Sequence, residues 1–103
     1  MKTKQQIRDE FRQSVFKRDN YRCKCCNETG DLDAHHITDR HLMPNGGYVK
    51  ENGISLCPKC HLLAEKFHMT NGKEWEPHMH PNDLYELIHS SQELAEKISE
   101  KLK

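Results

Sequence analysis

Apolar residues recur along this chain with two different periods, and the changes of period mark its elements. Ile7, Phe11 and Val15 return every fourth residue, the spacing that lines one face of an α-helix. Thr3 and Gln6 precede them at the separation of a capping box, in which each side chain satisfies the other's backbone N–H, so the pattern predicts a helix over about 4–18 with one buried stripe. Leu32 to Ile37 alternates apolar and polar positions, which predicts a short strand carrying His36 on one face. Residues 38–53 hold the cluster Pro44-Asn45-Gly46-Gly47 and predict a loop whose unusual length suggests function. Ile54-Ser55-Leu56 predicts a second strand ending at Cys57. Pro58 then opens a helix to about Met69, with Leu62, Leu63 and Phe67 for packing. Thr70 to Pro81 has no period, and Trp75 within it is expected to anchor the core. Two terminal helices follow. Asn82 and Asp83 start one with Leu84, Leu87 and Ile88 on a face, and Ser90 with Glu93 forms a second capping box before Leu94, Ile98 and Leu102.

Composition changes this picture in one respect. A chain of 103 residues that is 34% hydrophobic is expected to form a single domain, residues 1–103, whose apolar core needs help. Cysteine spacing supplies it. Cys23 with Cys26, and Cys57 with Cys60, are each three positions apart, as when a tight turn presents two ligands to one tetrahedral zinc. Cys25 is the spare thiol. Five cysteines suit a disulfide framework poorly, and without an apolar leader the chain is expected to stay in the reducing cytoplasm, away from membranes. Structural Zn2+ would couple site formation to folding, worth about 10 kcal/mol or more in isolated zinc modules.

Charge is polarised although the net is zero. Residues 1–24 carry eight basic and three acidic side chains, a head that could lie on phosphates while the remainder faces solvent. Arg18 and Arg22, beside the first thiol pair, are the expected nucleic-acid contacts.

Four thiolates close a zinc to chemistry, so any reaction needs a second cluster. His35 and His36, adjacent on a strand, point to opposite faces. One can ligate while the other acts. His61 follows Cys60 on a helix and can meet a ligand from the strand pair, so that His35 and His61 would hold one divalent cation with open positions, and His36 would stand beside it as a neutral base. Glu65, one helical turn after His61, is an outside candidate for the same cation. His68, seven residues after His61 and about 10 Å along the axis, is expected to be too far and is read as a phosphate contact or surface residue.

These residues resemble the HNH nuclease family in its zinc-bearing form. The resemblance rests on Arg-Asp-Asn-Tyr-Arg-Cys-Lys-Cys-Cys at 18–26, Leu-Asp-Ala-His-His-Ile at 32–37, Gly46-Gly47, Glu-Asn-Gly-Ile-Ser-Leu-Cys at 51–57 and Pro-Lys-Cys-His at 58–61. It departs after Ile37, where Thr38-Asp39-Arg40 stands in place of the family's usual nearby proline. The implied fold is α+β: a small ββα-metal, treble-clef-like, zinc-stabilised domain with a motif core of about 18–68, a preceding helix and a helical extension of about 81–103. By the same resemblance His35 and His61 bind metal, His36 is general base and Asn52 organises the site, although Asn52 before Gly53 also suits a turn.

The implied activity is hydrolysis of DNA phosphodiesters by an endonuclease of bacterial or phage type, leaving a 5′-phosphate and a 3′-hydroxyl. RNA or branched DNA remain open as substrates, and a homodimer is possible. One catalytic divalent cation is implied, Mn2+, Ni2+, Mg2+ or Zn2+. Imidazole ligands predict that manganese or nickel supports activity at least as well as magnesium. The rival reading, favoured by the zero net charge, is a non-catalytic zinc-binding module for nucleic acid or protein.

Overall fold

The computed structural model describes residues 2–102. Its elements run α1 (Lys4–Arg18), β1 (Asp33–His36), β2 (Gly53–Leu56), α2 (Pro58–Met69), α3 (Pro81–Leu87) and α4 (Gln92–Ser99), with three short 3-10 turns between the strands. The four helices and the two-stranded antiparallel sheet, beside four clustered cysteines, make a small α+β fold consistent with the ββα-metal arrangement.

Helix α1 begins as its caps dictate. The Gln6 amide donates to Thr3 Oγ1 at 3.1 Å, and the Thr3 amide donates to Gln6 Oε1 at 2.8 Å. Phe11 and Val15 are buried. They lie against the start of β2, where a side chain on Gly53 would put its Cβ 2.5 Å from Val15 Cγ2 and 2.7 Å from Phe11; only glycine permits that approach. At the helix end, buried Asp19 accepts from the Ser55 amide at 2.9 Å and pairs with Arg18 at 2.8 Å, which fixes α1 to β2.

The strands pair His35 with Ile54 and His36 with Gly53. Alternation along β1 then sends Ala34 and His36 toward α1, and Asp33 and His35 toward α2. The core joins Ile37, Ile54 and Leu56 of this hairpin to Ala64, Met79, Leu84, Tyr85, Ile88 and Ala95.

Several expectations about packing change. In α2 the buried positions are Cys60 and Ala64, while Leu62 is 72% exposed and Leu63 and Phe67 are only partly covered. The thiols must face the first knuckle, and that requirement sets the rotation of the helix. Helix α3 starts one turn position early, with Pro81 at its first residue and the His80 ring accepting from the Asn82 amide at 3.0 Å. Ser91, not Ser90, caps α4, because the Ser90 hydroxyl donates to the Glu51 carbonyl at 2.8 Å. In α4 the face inward is Ala95 and Ser99, and Leu94 is exposed. Small side chains win there because the turn at Pro44–Gly47 approaches closely: Asn45 Nδ2 donates to the Ser99 carbonyl at 3.0 Å and Ser99 Oγ donates to that of Pro44. Trp75 is 46% exposed, leaning on Phe67 and His80 instead of entering the core. Among the described residues no helix is long and apolar enough to cross a membrane.

Candidate metal centres and the histidine site

Two turns deliver the four thiols to one point. In the first, the Asn27 amide donates to the Cys23 carbonyl at 2.8 Å and the Cys23 amide to that of Glu28 at 2.9 Å; in the second, Pro58 opens α2 directly after Cys57. The Lys24 amide donates to the Ser55 carbonyl at 2.9 Å and ties the first turn to β2. Sγ atoms of Cys23, Cys26, Cys57 and Cys60 all lie within 4.8 Å of one another, and Cys26 and Cys57 are 3.6 Å apart. Tetrahedral zinc with sulfur ligands at about 2.3 Å places its sulfurs about 3.8 Å apart, so donor set and spacing both fit a structural zinc. Burial works to raise the Cys23 thiol, but backbone N–H donors of Cys57, Cys26 and Cys25 outweigh it and bring it to about 7, toward the thiolate a metal needs. Cys25 stands outside the quartet, and burial pushes its thiol up to about 11.

An adjoining face of α2, about a third of a turn around from Cys60, holds the second cluster. His35 is buried, and its Nδ1 is 3.3 Å from Glu65 Oε1; His61 Nε2 is 3.1 Å from the same oxygen. His61 Nδ1 lies 3.1 Å from Asp33 Oδ2. The rings of His35 and His61 meet edge to face with centroids 5.2 Å apart, but His61 stands outside the group His35, Glu65 and His68 whose ligand atoms lie within 4.8 Å of one another. Both ring nitrogens of His61 lie against carboxylate oxygens. Burial keeps His35 below its ordinary value, while the hydrogen bond from His35 holds Glu65 down to about 2. Neutral imidazole and ionised carboxylate are the protonation states of cation ligands.

His68 belongs to this cluster, contrary to the expectation from helical rise. It stacks on His35 with centroids 5.1 Å apart, and one ligand atom each from His35, Glu65 and His68 lie within 4.8 Å of one another. The rise from His61 is the wrong separation to use. His35 sits beside the C-terminal half of α2, so the cluster centres on Glu65. His68 Nε2 also donates to the His36 carbonyl at 2.9 Å. The i, i+3 step from Glu65 to His68 was the available sequence signal.

His36 occupies the other face. Its ring stacks on Phe11 at 4.5 Å and meets the edge of Tyr48 at 4.9 Å. Its Nε2 is buried without a hydrogen-bond partner among the described residues. Burial first, then the charges of His35 and Arg40, lower it to about 4, which leaves a neutral ring at physiological pH.

Asn52, fully buried, is the junction of the loop. Its Oδ1 accepts from the Thr38 amide at 3.0 Å and from Tyr85 Oη at 2.7 Å, and its Nδ2 donates to the carbonyls of Thr38 at 3.1 Å and Gly47 at 3.3 Å. A Cβ on Gly47, at φ +68°, would fall 2.6 Å from Asn52 Nδ2. The side chain thus closes a bridge across the chain just beyond His36. Tyr85, unforeseen from sequence, brings α3 into that bridge; burial pushes its phenol up to about 12, keeping it a donor.

The two arginines expected to meet nucleic acid have protein partners. Arg18 pairs with Asp19, donates to the Gly53 carbonyl at 2.7 Å and reaches that of Lys50. Arg22 donates to the Asn27 carbonyl at 3.2 Å.

No curated protein and no solved structure matches the chain. The family model described as HNH endonuclease matches residues 23–67, the stretch that contains both thiol pairs, both strand histidines, Asn52, His61 and Glu65.

Proposed function

We propose that the chain is a metal-dependent endonuclease that hydrolyses DNA phosphodiesters, with residues 1–103 acting as one domain. The observation that carries this reading is the division of labour across β1: His35 turns to the carboxylate and imidazoles of α2, while His36 turns to α1 as a neutral ring with Nε2 uncommitted to any described protein atom. Cys23, Cys26, Cys57 and Cys60 hold structural zinc. His35 and His61, with Glu65 and His68 beside them, provide the donors for one divalent cation. When bound, that cation supplies positive charge to the phosphate and the departing oxygen.

The protein's own groups do the rest. A ring nitrogen of His36 accepts a proton from water, the resulting hydroxide attacks phosphorus, and the P–O3′ bond breaks with the departing O3′ taking a proton from solvent, which leaves a 5′-phosphate and a 3′-hydroxyl. Phe11 and Tyr48 hold the His36 ring plane. Asn52 fixes the chain immediately after β1 through Thr38, and His68 holds the His36 carbonyl, so the base is oriented from both sides of its peptide.

Plasmid nicking tests this reading. His36→Ala should keep its zinc and fold yet lose about 10²–10⁴-fold in rate, the usual contribution of a positioned acid or base. Wild type should nick with manganese or nickel at least as fast as with magnesium. Unchanged nicking by His36→Ala would remove His36 from the mechanism.

A further inference from the structure

The concavity over His36 is lined by three arginines, and none of that charge takes part in the proton transfer assigned to His36. It has a volume of about 410 Å³ and is walled by Arg8 and Arg12 from α1, Arg40 from the loop, and the rings of Phe11, His36 and Tyr48. Arg8 and Arg12 are four residues apart on a helix and project from one side of it. Both are exposed, as is Arg40. Arg40 Nη1 donates to the Tyr48 hydroxyl at 2.9 Å. Burial works to raise the Tyr48 phenol, yet the neighbouring guanidinium groups of Arg40 and Arg8 outweigh it and hold it below its ordinary value. Arg12 lies over the Phe16 ring at 5.8 Å. One carboxylate also borders the hollow: Asp9, which accepts from Gln5 Nε2 at 2.9 Å. Three guanidinium groups against one carboxylate leave the hollow cationic. His36 lines its wall, and the buried Nε2 of that ring has no protein partner among the described residues.

We propose that Arg8, Arg12 and Arg40 form a phosphate cradle that seats the nucleic-acid backbone on the His36 side of the sheet. This rests on the nuclease reading and assigns its substrate contacts to α1 and the loop in place of Arg18 and Arg22. Guanidinium groups suit the task because their planar forks match phosphate oxygens two at a time. Tyr48 aligns the Arg40 fork and gives the cradle a polar floor. The basic surplus of residues 1–24 thereby has a place to act, on the α1 side of β1 where His36 lies.

Fluorescence anisotropy with a short labelled DNA duplex, without added divalent cation and over a salt series, tests the assignment. Arg8→Gln, Arg12→Gln and Arg40→Gln together should weaken binding about ten-fold or more and flatten the log–log salt slope by about 3, near one for each phosphate left without its arginine. Lys73→Gln, Lys97→Gln and Lys101→Gln together remove the same charge elsewhere and should leave the slope close to wild type. Equal loss in both triple variants, an unchanged slope in the arginine variant, or no duplex binding by wild type overturns the cradle. Binding that depends on the arginines in a protein that never cleaves keeps the cradle and sinks the hydrolase reading. Cleavage that survives the arginine changes at wild-type affinity does the reverse.

Discussion

The thiol quartet and the histidine cluster sit on two sides of the same helix, and they differ in every property that decides what a metal can do. The quartet offers four identical soft donors at the spacing of a closed tetrahedron, mostly buried and held by two backbone turns. The histidine cluster offers mixed nitrogen and oxygen donors, one of them shared: Glu65 Oε1 lies against both His35 and His61. Its members come from a strand and from two turns of α2, and His61 and Glu65 are about one-third exposed. A closed set has no position for substrate; a mixed, partly exposed one does. In the proposed reading one centre serves folding and the other chemistry, and α2 carries both because Cys60 and His61 are neighbours on it.

The largest effect should come from breaking the folding side. Cys57→Ser removes a thiolate from the quartet, and since metal binding and folding are one event in a core this small, the cooperative thermal transition should disappear. A normal melt in that variant, or in wild type stripped of zinc, would separate the quartet from folding. The chemical side responds differently: His36→Ala should lose rate while keeping its melt.

Asn52 lies between the two centres in consequence. Asn52→Ala strands the amide and carbonyl of Thr38 and the Gly47 carbonyl in a buried setting, and leaves the Tyr85 hydroxyl only its contact with Thr38 Oγ1. At about 1–3 kcal/mol for an orphaned buried group, with partial relaxation, urea unfolding should show a loss of about 2–4 kcal/mol. Because the same side chain fixes the peptide after β1, nicking should fall as well, with zinc content unchanged. A variant as stable and as active as wild type would leave the bridge without a role.

How much of the molecule is legible in its sequence follows the range of the interactions. The capping box at Thr3, the helix start at Pro58, the strands and the thiol pairs are local signals, and each stands where the spacing puts it. The face a helix turns inward is a tertiary matter. In α2 the thiols override Leu62, and in α4 the approach of the Pro44–Gly47 turn selects Ala95 and Ser99 over Leu94. His68 escapes a reading by distance along α2 from His61, because the position of β1 across the helix decides which turn meets His35. Tyr85 lies 33 residues from Asn52, and no local pattern announces such a partner. Arg18 shows the converse: its place beside the knuckle is clear in sequence, and its commitment to Asp19 and the β2 carbonyls is not.

The most direct test of two separate centres is a manganese titration of zinc-loaded protein, followed by electron paramagnetic resonance with zinc content measured on the same samples. Wild type should bind one exchangeable Mn2+ beyond its zinc, and His35→Ala with His61→Ala should lose that manganese while retaining one zinc. Displacement of zinc by manganese, or a second equivalent that survives removal of both imidazoles, would contradict the separation.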